Sequence, residues 1–136
     1  MTRINLVIPK ELTDQHLMAE IKEINQLAGQ FRTSLNSKKG IIDIPKNFTL
    51  NKGHVKYFYN KGKYLHKRFL LLKQEAIERK FDIKVNFNNE WLKNQKIDLY
   101  QDWEPSLNDL EIIRERIKTK INMKPTWYKY YGKSLL

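Results

Sequence analysis

Residues 125–133 read Pro-Thr-Trp-Tyr-Lys-Tyr-Tyr-Gly-Lys, with four aromatic rings in five positions and lysine among them. Rings so placed can stack on nucleobases or sugars while Lys129 and Lys133 meet phosphates. They can equally pin a chain end onto a core. Both can hold at once, with Trp127 buried and the later tyrosines exposed. Upstream, Arg116 and Lys120 stand four residues apart, which on a helix puts two cations on one face. Glu23 falls off the apolar stripe of its segment, on the flank shared by His16 and Ala19, so it can face a ligand or solvent. Glu20 lies closer to the stripe and reads as structural. With no cysteine, neither a disulfide nor a thiolate metal site is available. His16, His54 and His66 do not form a zinc-ligand spacing, so neither a metal nor another cofactor is expected.

The charge balance narrows the partner. Twenty-six Lys and Arg against fifteen Asp and Glu leave a formal net charge of +11 on 136 residues. Such a one-sided field suits a polyanion, and nucleic acid is the default. An anionic membrane is the weaker alternative, because no segment joins a lysine-rich face to a broad apolar one. No apolar run approaches a membrane span, and the first twenty residues do not read as a signal peptide. A soluble, cytoplasmic monomer with one domain over residues 1–136 is the expectation.

Three segments must position these groups. Leu17, Ile21, Ile24, Ala28, Phe31 and Leu35 recur at steps of four and three, predicting a helix that Thr13 or Asp14 caps and that ends by Asn36–Gly40. A second helix is predicted over about 61–80, with Leu65, Phe69, Leu72 and Ala76 on its apolar face. Lys67, Arg68, Lys73, Arg79 and Lys80 occupy other angles. The third starts at Ser106, where Ser-x-x-Asp suits a helix start. It carries Leu110, Ile113, Ile117 and Ile121 and stops before Pro125. Long polar connections span 37–57 and 82–105. Ile41–Ile44 could form a short strand, but nothing alternates long enough to argue for a sheet. The simplest architecture is all-α, three amphipathic helices packed together and wrapped by loops.

Three strings carry a resemblance. Met1 to Leu6, Glu11-Leu12, and Asp14 to Glu20 with Glu23 resemble the amino-terminal signature of the phage and algal-virus pyrimidine-dimer DNA glycosylases. Gly53 to Lys61 resembles their middle motif, and Pro125 to Lys133 resembles their carboxyl end almost letter for letter. The blocks fall in the same order and span essentially the whole chain. The resemblance implies an all-α fold of three helices with an amino-terminal arm passing between them. It implies a nucleotide flipped from the duplex, glycosidic cleavage at a cyclobutane pyrimidine dimer, and strand breakage by β-elimination. The partner it implies is duplex DNA holding such dimers or abasic sites.

Site residues follow by position. The family's nucleophile is the α-amine of the residue after Met, a place taken here by Thr2, and its catalytic carboxylate corresponds to Glu23. Arg3, Gln15, His16, Lys22, Gln26, Arg116, Lys120, Tyr128 and Lys129 correspond to the surface that faces DNA. The chemistry suits an amine. Attack on the anomeric carbon yields an imine that acidifies the neighbouring C–H and permits elimination of phosphate. An α-amine has a reference pKa of about 7.7–8.0 against about 10.4 for lysine, so near neutrality it is richer in the reactive form by roughly two orders of magnitude. That amine is available only once Met1 is removed. The carboxylate would stabilise the developing cation and move protons.

Lys22 and Gln26 stand where the family often has arginine, and Asn25 where a familiar member has proline. These departures motivate an alternative, a glycosylase/lyase for another lesion or for abasic sites. A non-catalytic basic DNA-binding protein is the alternative that charge alone supports.

Overall fold

The computed structural model describes residues 3–135. A 3-10 turn at Pro9–Glu11 leads into α1 (Asp14–Leu35), followed by the single-turn α2 (His54–Tyr57) and α3 (Gly62–Glu78). The single-turn α4 (Glu90–Lys93), a 3-10 turn at Ile97–Leu99, and α5 (Leu107–Met123) come next, before a two-stranded hairpin of β1 (Lys129–Tyr130) and β2 (Lys133–Ser134). The architecture is all-α, with three long helices where apolar periodicity places them.

The helix starts have local causes. Thr13 caps α1, its hydroxyl accepting from the His16 backbone N–H at 3.1 Å. Ser106 and Asp109 satisfy each other's backbone N–H in a reciprocal box at the start of α5. Along α1, Leu17, Ile21, Ile24, Leu27, Ala28 and Phe31 are buried, and Leu65, Phe69, Leu72 and Ala76 of α3 meet the same core. Trp91 of α4 closes one end, stacked on Phe31 at 4.4 Å and donating from Nε1 to the Tyr59 carbonyl. It fits because residue 62 is glycine, where a Cβ would lie 2.5 Å from the indole. The stripe of α5 is buried only at Ile113, and Leu110 and Ile117 are partly covered.

The chain before α1 runs as an arm into this core. Ile4, Leu6, Val7 and Leu12 are buried in it, yet an extended arm brings backbone polar groups that need partners. Glu20 on α1 and Arg68 on α3 supply them. The Glu20 carboxylate accepts from the Asn5 backbone N–H at 3.1 Å and from Arg68 Nε and Nη2 at 2.6 and 3.0 Å. Arg68 Nη1 donates to the Val7 carbonyl at 2.5 Å. On another side, His54 of α2 accepts from the Ile4 N–H at 2.9 Å. The arm therefore passes between α1 and α3 with its backbone paired on both sides.

Several details depart from the sequence expectations. Arg68 and Arg79, assigned to angles away from the apolar face, are buried, because each meets carboxylates that the fold brings to it. Residues 41–44 form no strand, and the 82–105 connection contains α4 and a 3-10 turn. The small hairpin lies instead in the tail, with Lys129 opposite Ser134 and Tyr130 opposite Lys133. Its turn residues Tyr131 and Gly132 both have positive φ (51° and 77°), as a tight two-residue hairpin requires. No helix among the described residues is long and apolar enough to cross a membrane.

Arg68→Met would strand the Glu20 carboxylate in the core without its counter-charge. The expected cost is about 3–5 kcal/mol in chemical denaturation, with part regained in the Glu20→Leu/Arg68→Met double variant. A single variant within about 1 kcal/mol of the parent would show that the pair does not anchor the arm.

Candidate active site

The described part of the arm reaches α1 again at Glu23, just under one turn beyond the Glu20 anchor. There the Arg3 backbone N–H is hydrogen-bonded to the Glu23 carboxylate. Around this contact lies an open cleft of about 190 Å³. Arg3 and Asn5 come from the arm, Gln15, His16, Ala19 and Glu23 from α1, Arg116 and Lys120 from α5, and Trp127 and Tyr128 from the tail. The helical-wheel grouping of Glu23 with His16 and Ala19 becomes one wall, and Arg116 and Lys120, one turn apart on α5, join the lining.

The electrostatics are those of one carboxylate among cations. Burial raises the Glu23 pKa above the ordinary carboxylate value, while the Arg3 N–H and the Arg116 charge draw it back. Burial lowers the pKa of both Arg3 and Arg116, and Arg3 adds to the lowering at Arg116. Such a cleft favours anionic ligands and keeps a carboxylate that can hold a proton closer to neutrality than usual.

His16 is neutral. Burial, then Arg116 and Lys120, lower its pKa to about 4. Its Nδ1 lies 2.7 Å from the Thr13 hydroxyl, and its ring stacks on Tyr128 at 4.8 Å with the planes 4° apart. His54, beneath the arm, is also held to about 4, mainly by burial, with Arg3 and Arg116 adding to the effect against the Thr49 carbonyl. Nε2 accepts from Ile4, so Nδ1 carries the proton and donates to Thr49.

The tail is clasped onto this wall by consecutive residues of α1. Asp14 accepts from the backbone N–H groups of Tyr131 and Gly132 at 3.0 and 2.8 Å. The Gln15 side chain donates to the Trp127 carbonyl at 2.8 Å and accepts from the Lys129 N–H at 2.9 Å. Arg79 bridges Asp14 and Glu75, and Tyr131 donates to Glu75 at 2.6 Å. The clasp reverses the expected burial of the first two rings. Tyr128 turns inward against His16 and is 8% exposed, while Trp127 stands at the rim, 55% exposed. Tyr130 and Tyr131 are exposed, as expected.

Of the residues singled out by sequence, Arg3, Gln15, His16, Glu23, Arg116, Lys120 and Tyr128 meet in the cleft. Lys22 and Gln26 do not line it; both are exposed on α1. Lys129 joins through its backbone bond to Gln15. Thr2 lies outside the described residues. Asn25 ties α1 to the 86–88 segment, its amide donating to the Asn86 carbonyl and accepting from the Asn88 N–H. Asn5 was missed by the sequence reading. Its only signal is position, because in an extended arm residues 3 and 5 point to the same side.

A family model described as pyrimidine dimer DNA glycosylase matches residues 1–91. The match takes in the arm, α1, α2 and α3. It stops short of α5 and the tail, which bring Arg116, Lys120, Trp127 and Tyr128 to the cleft.

The two low-pKa histidines set a pH dependence. An unfolded chain takes up their protons near pH 6.5, and the folded protein only near 4. Stability is therefore expected to fall as the pH drops from about 6.5 towards 4. Ring-proton NMR should show His16 and His54 still neutral at pH 5.5; a midpoint near 6.5 for either would contradict the burial described.

Proposed function

The chain belongs to the pyrimidine dimer DNA glycosylase family, and on that premise we propose that it cleaves the glycosidic bond of one base of a cyclobutane dimer in duplex DNA and then cuts the strand as a lyase. The observation that carries this reading is the Arg3 N–H on the Glu23 carboxylate within a cationic cleft. The amine of the residue before Arg3 is, by covalent geometry alone, within about 4 Å of the Arg3 nitrogen. With Met1 removed, that amine is the free α-amine of Thr2, and its tether leads to the carboxylate the chemistry needs.

In the proposed sequence the amine lone pair forms a bond to the anomeric carbon C1′. The bond from C1′ to the base breaks, and its electron pair goes to the base, which takes a proton from water and stays joined to its neighbour through the cyclobutane ring. The new ammonium gives one proton to Glu23. The nitrogen lone pair then expels O4′, which takes that proton from Glu23, leaving a protonated imine at C1′. Water takes a C2′ proton, the C–H pair forms the C2′–C3′ double bond, and the phosphate departs from C3′ with the electron pair of the broken C–O bond. A carboxylate whose pKa is raised by burial suits both proton transfers. Arg3, Arg116 and Lys120 hold the flanking phosphates, Tyr128 shapes the wall, and Lys22, Gln26 and Lys129 meet the duplex outside the cleft.

On a duplex with one dimer, the wild-type protein is expected to release the glycosidic bond and leave the strand cut with an unsaturated 3′ sugar. Glu23→Gln should bind that duplex yet cut it about 10²–10⁴-fold more slowly. The acid limb of the wild-type rate should lie above the ordinary carboxylate range. Undiminished cutting by Glu23→Gln would remove Glu23 from the mechanism, and an intact dimer strand with the wild type would overturn the assignment.

A further inference from the structure

Asn5 is 2% exposed and lines the cleft beside Glu23 and Arg3. Its Oδ1 is buried and finds no hydrogen-bond partner among the described residues. A buried amide carbonyl left unpaired is costly to folding, and native proteins pair nearly all such groups. The backbone on both sides of this side chain is fixed. The Asn5 N–H is held by the Glu20–Arg68 pair. Its carbonyl accepts from the Val7 N–H at 2.5 Å, closing a three-residue turn over Leu6 at φ 57°. A leucine in that left-handed conformation is strained, and strain of this kind persists where surrounding structure enforces it. Arg68, which stabilises the turn through the Val7 carbonyl, also neutralises the carboxylate that holds Asn5.

The cleft thus offers two acceptors of different character. Glu23 is ionisable and exchanges protons in the sequence proposed above. Asn5 Oδ1 is neutral, permanent and set in place before substrate arrives. The other cleft groups are largely committed: the Gln15 side chain to the tail backbone, and His16 Nδ1 to Thr13. We propose that Asn5 is a further catalytic residue, its Oδ1 accepting a hydrogen bond from the positively charged N–H of the sugar–amine adduct.

This assignment rests on the lyase reading. In both charged forms of the adduct, the ammonium before proton loss and the protonated imine after ring opening, the nitrogen carries an N–H and a positive charge. A neutral carbonyl pairs with that charge without removing the proton, so it stabilises the imine while Glu23 performs the transfers. A preorganised dipole aimed at developing charge is a large contributor in closed sites. The contacts that hold the arm offset the cost of the unpaired carbonyl in the free protein, and the adduct completes its pairing.

The test compares wild type, Asn5→Leu and Asn5→Ala in single-turnover strand cutting on two duplexes, one with a pyrimidine dimer and one with an abasic site. Both variants are expected to lose about 10²-fold in rate on both duplexes. Duplex affinity should stay within about twofold of wild type, because the contact forms only with the adduct. For Asn5→Leu, Tm should be unchanged or higher, since the unpaired buried carbonyl is gone; Asn5→Ala keeps the rate test open if leucine does not fit. Wild-type rates in either folded variant would overturn the assignment. So would a loss confined to the dimer duplex, which would give the donor to the base, or a loss matched by a fall in folded fraction. If wild type itself cut neither duplex, the lyase reading would fail and take this one with it; cutting by wild type and variants alike would remove only Asn5.

Discussion

The Glu20 carboxylate is fully buried, and its two oxygens are shared between the Arg68 guanidinium and the Asn5 backbone N–H. An isolated charge at that depth would be prohibitive, so the pair stands or falls together. Its consequence is positional. Arg68 reaches past Glu20 to the Val7 carbonyl, so one ion pair grips the arm at residues 5 and 7 and binds α1 to α3. From that grip the chain has two residues to run before Arg3 meets Glu23, which lies less than one helical turn from Glu20. The carboxylate that anchors and the carboxylate that faces the cleft are thus set by the same helix. Glu20 is neutralised by Arg68, and Glu23 keeps a raised pKa among cations.

The other end of the chain is held by the same helix. Asp14 and Gln15, adjacent in the first turn of α1, grip the tail backbone at residues 127, 129, 131 and 132. The cleft is therefore built from the arm and the tail laid against one helix, with α5 adding Arg116 and Lys120. The arm also buries Ile4, Leu6, Val7 and Leu12, whereas the tail buries Tyr128 among its described residues. Each is fixed by hydrogen bonds to buried or half-buried side chains, and this division suits a site that must admit a bulky polyanion while keeping a short arm in register.

α1 and α5 were legible because periodicity and caps agree, with Thr13, Ser106 and Asp109 at their starts, and α3, whose start has no side-chain cap, was legible from its apolar periodicity. The Glu23, His16 and Ala19 flank was legible for the same reason, and so was the shared face of Arg116 and Lys120. The burial of Arg68 and Arg79 was not, because a helix charge defaults to solvent and Glu20 and Asp14 lie 48 and 65 residues away in sequence. Trp127 and Tyr128 were exchanged because the choice depends on Gln15 gripping the backbone on either side of Tyr128, a contact across more than 100 residues. The tail hairpin has strands of two residues, too short for alternation to show. Asn5 gave no signal beyond its place two residues after Arg3.

The central claim is that the terminal arm delivers an α-amine to Glu23. Borohydride reduction during turnover on a duplex holding one pyrimidine dimer, followed by mass mapping of the DNA-linked peptide, tests it most directly. The account predicts DNA joined to a peptide that begins at Thr2, with Met1 absent. A linkage through a lysine side chain, or a linked chain that still carries Met1, would contradict it.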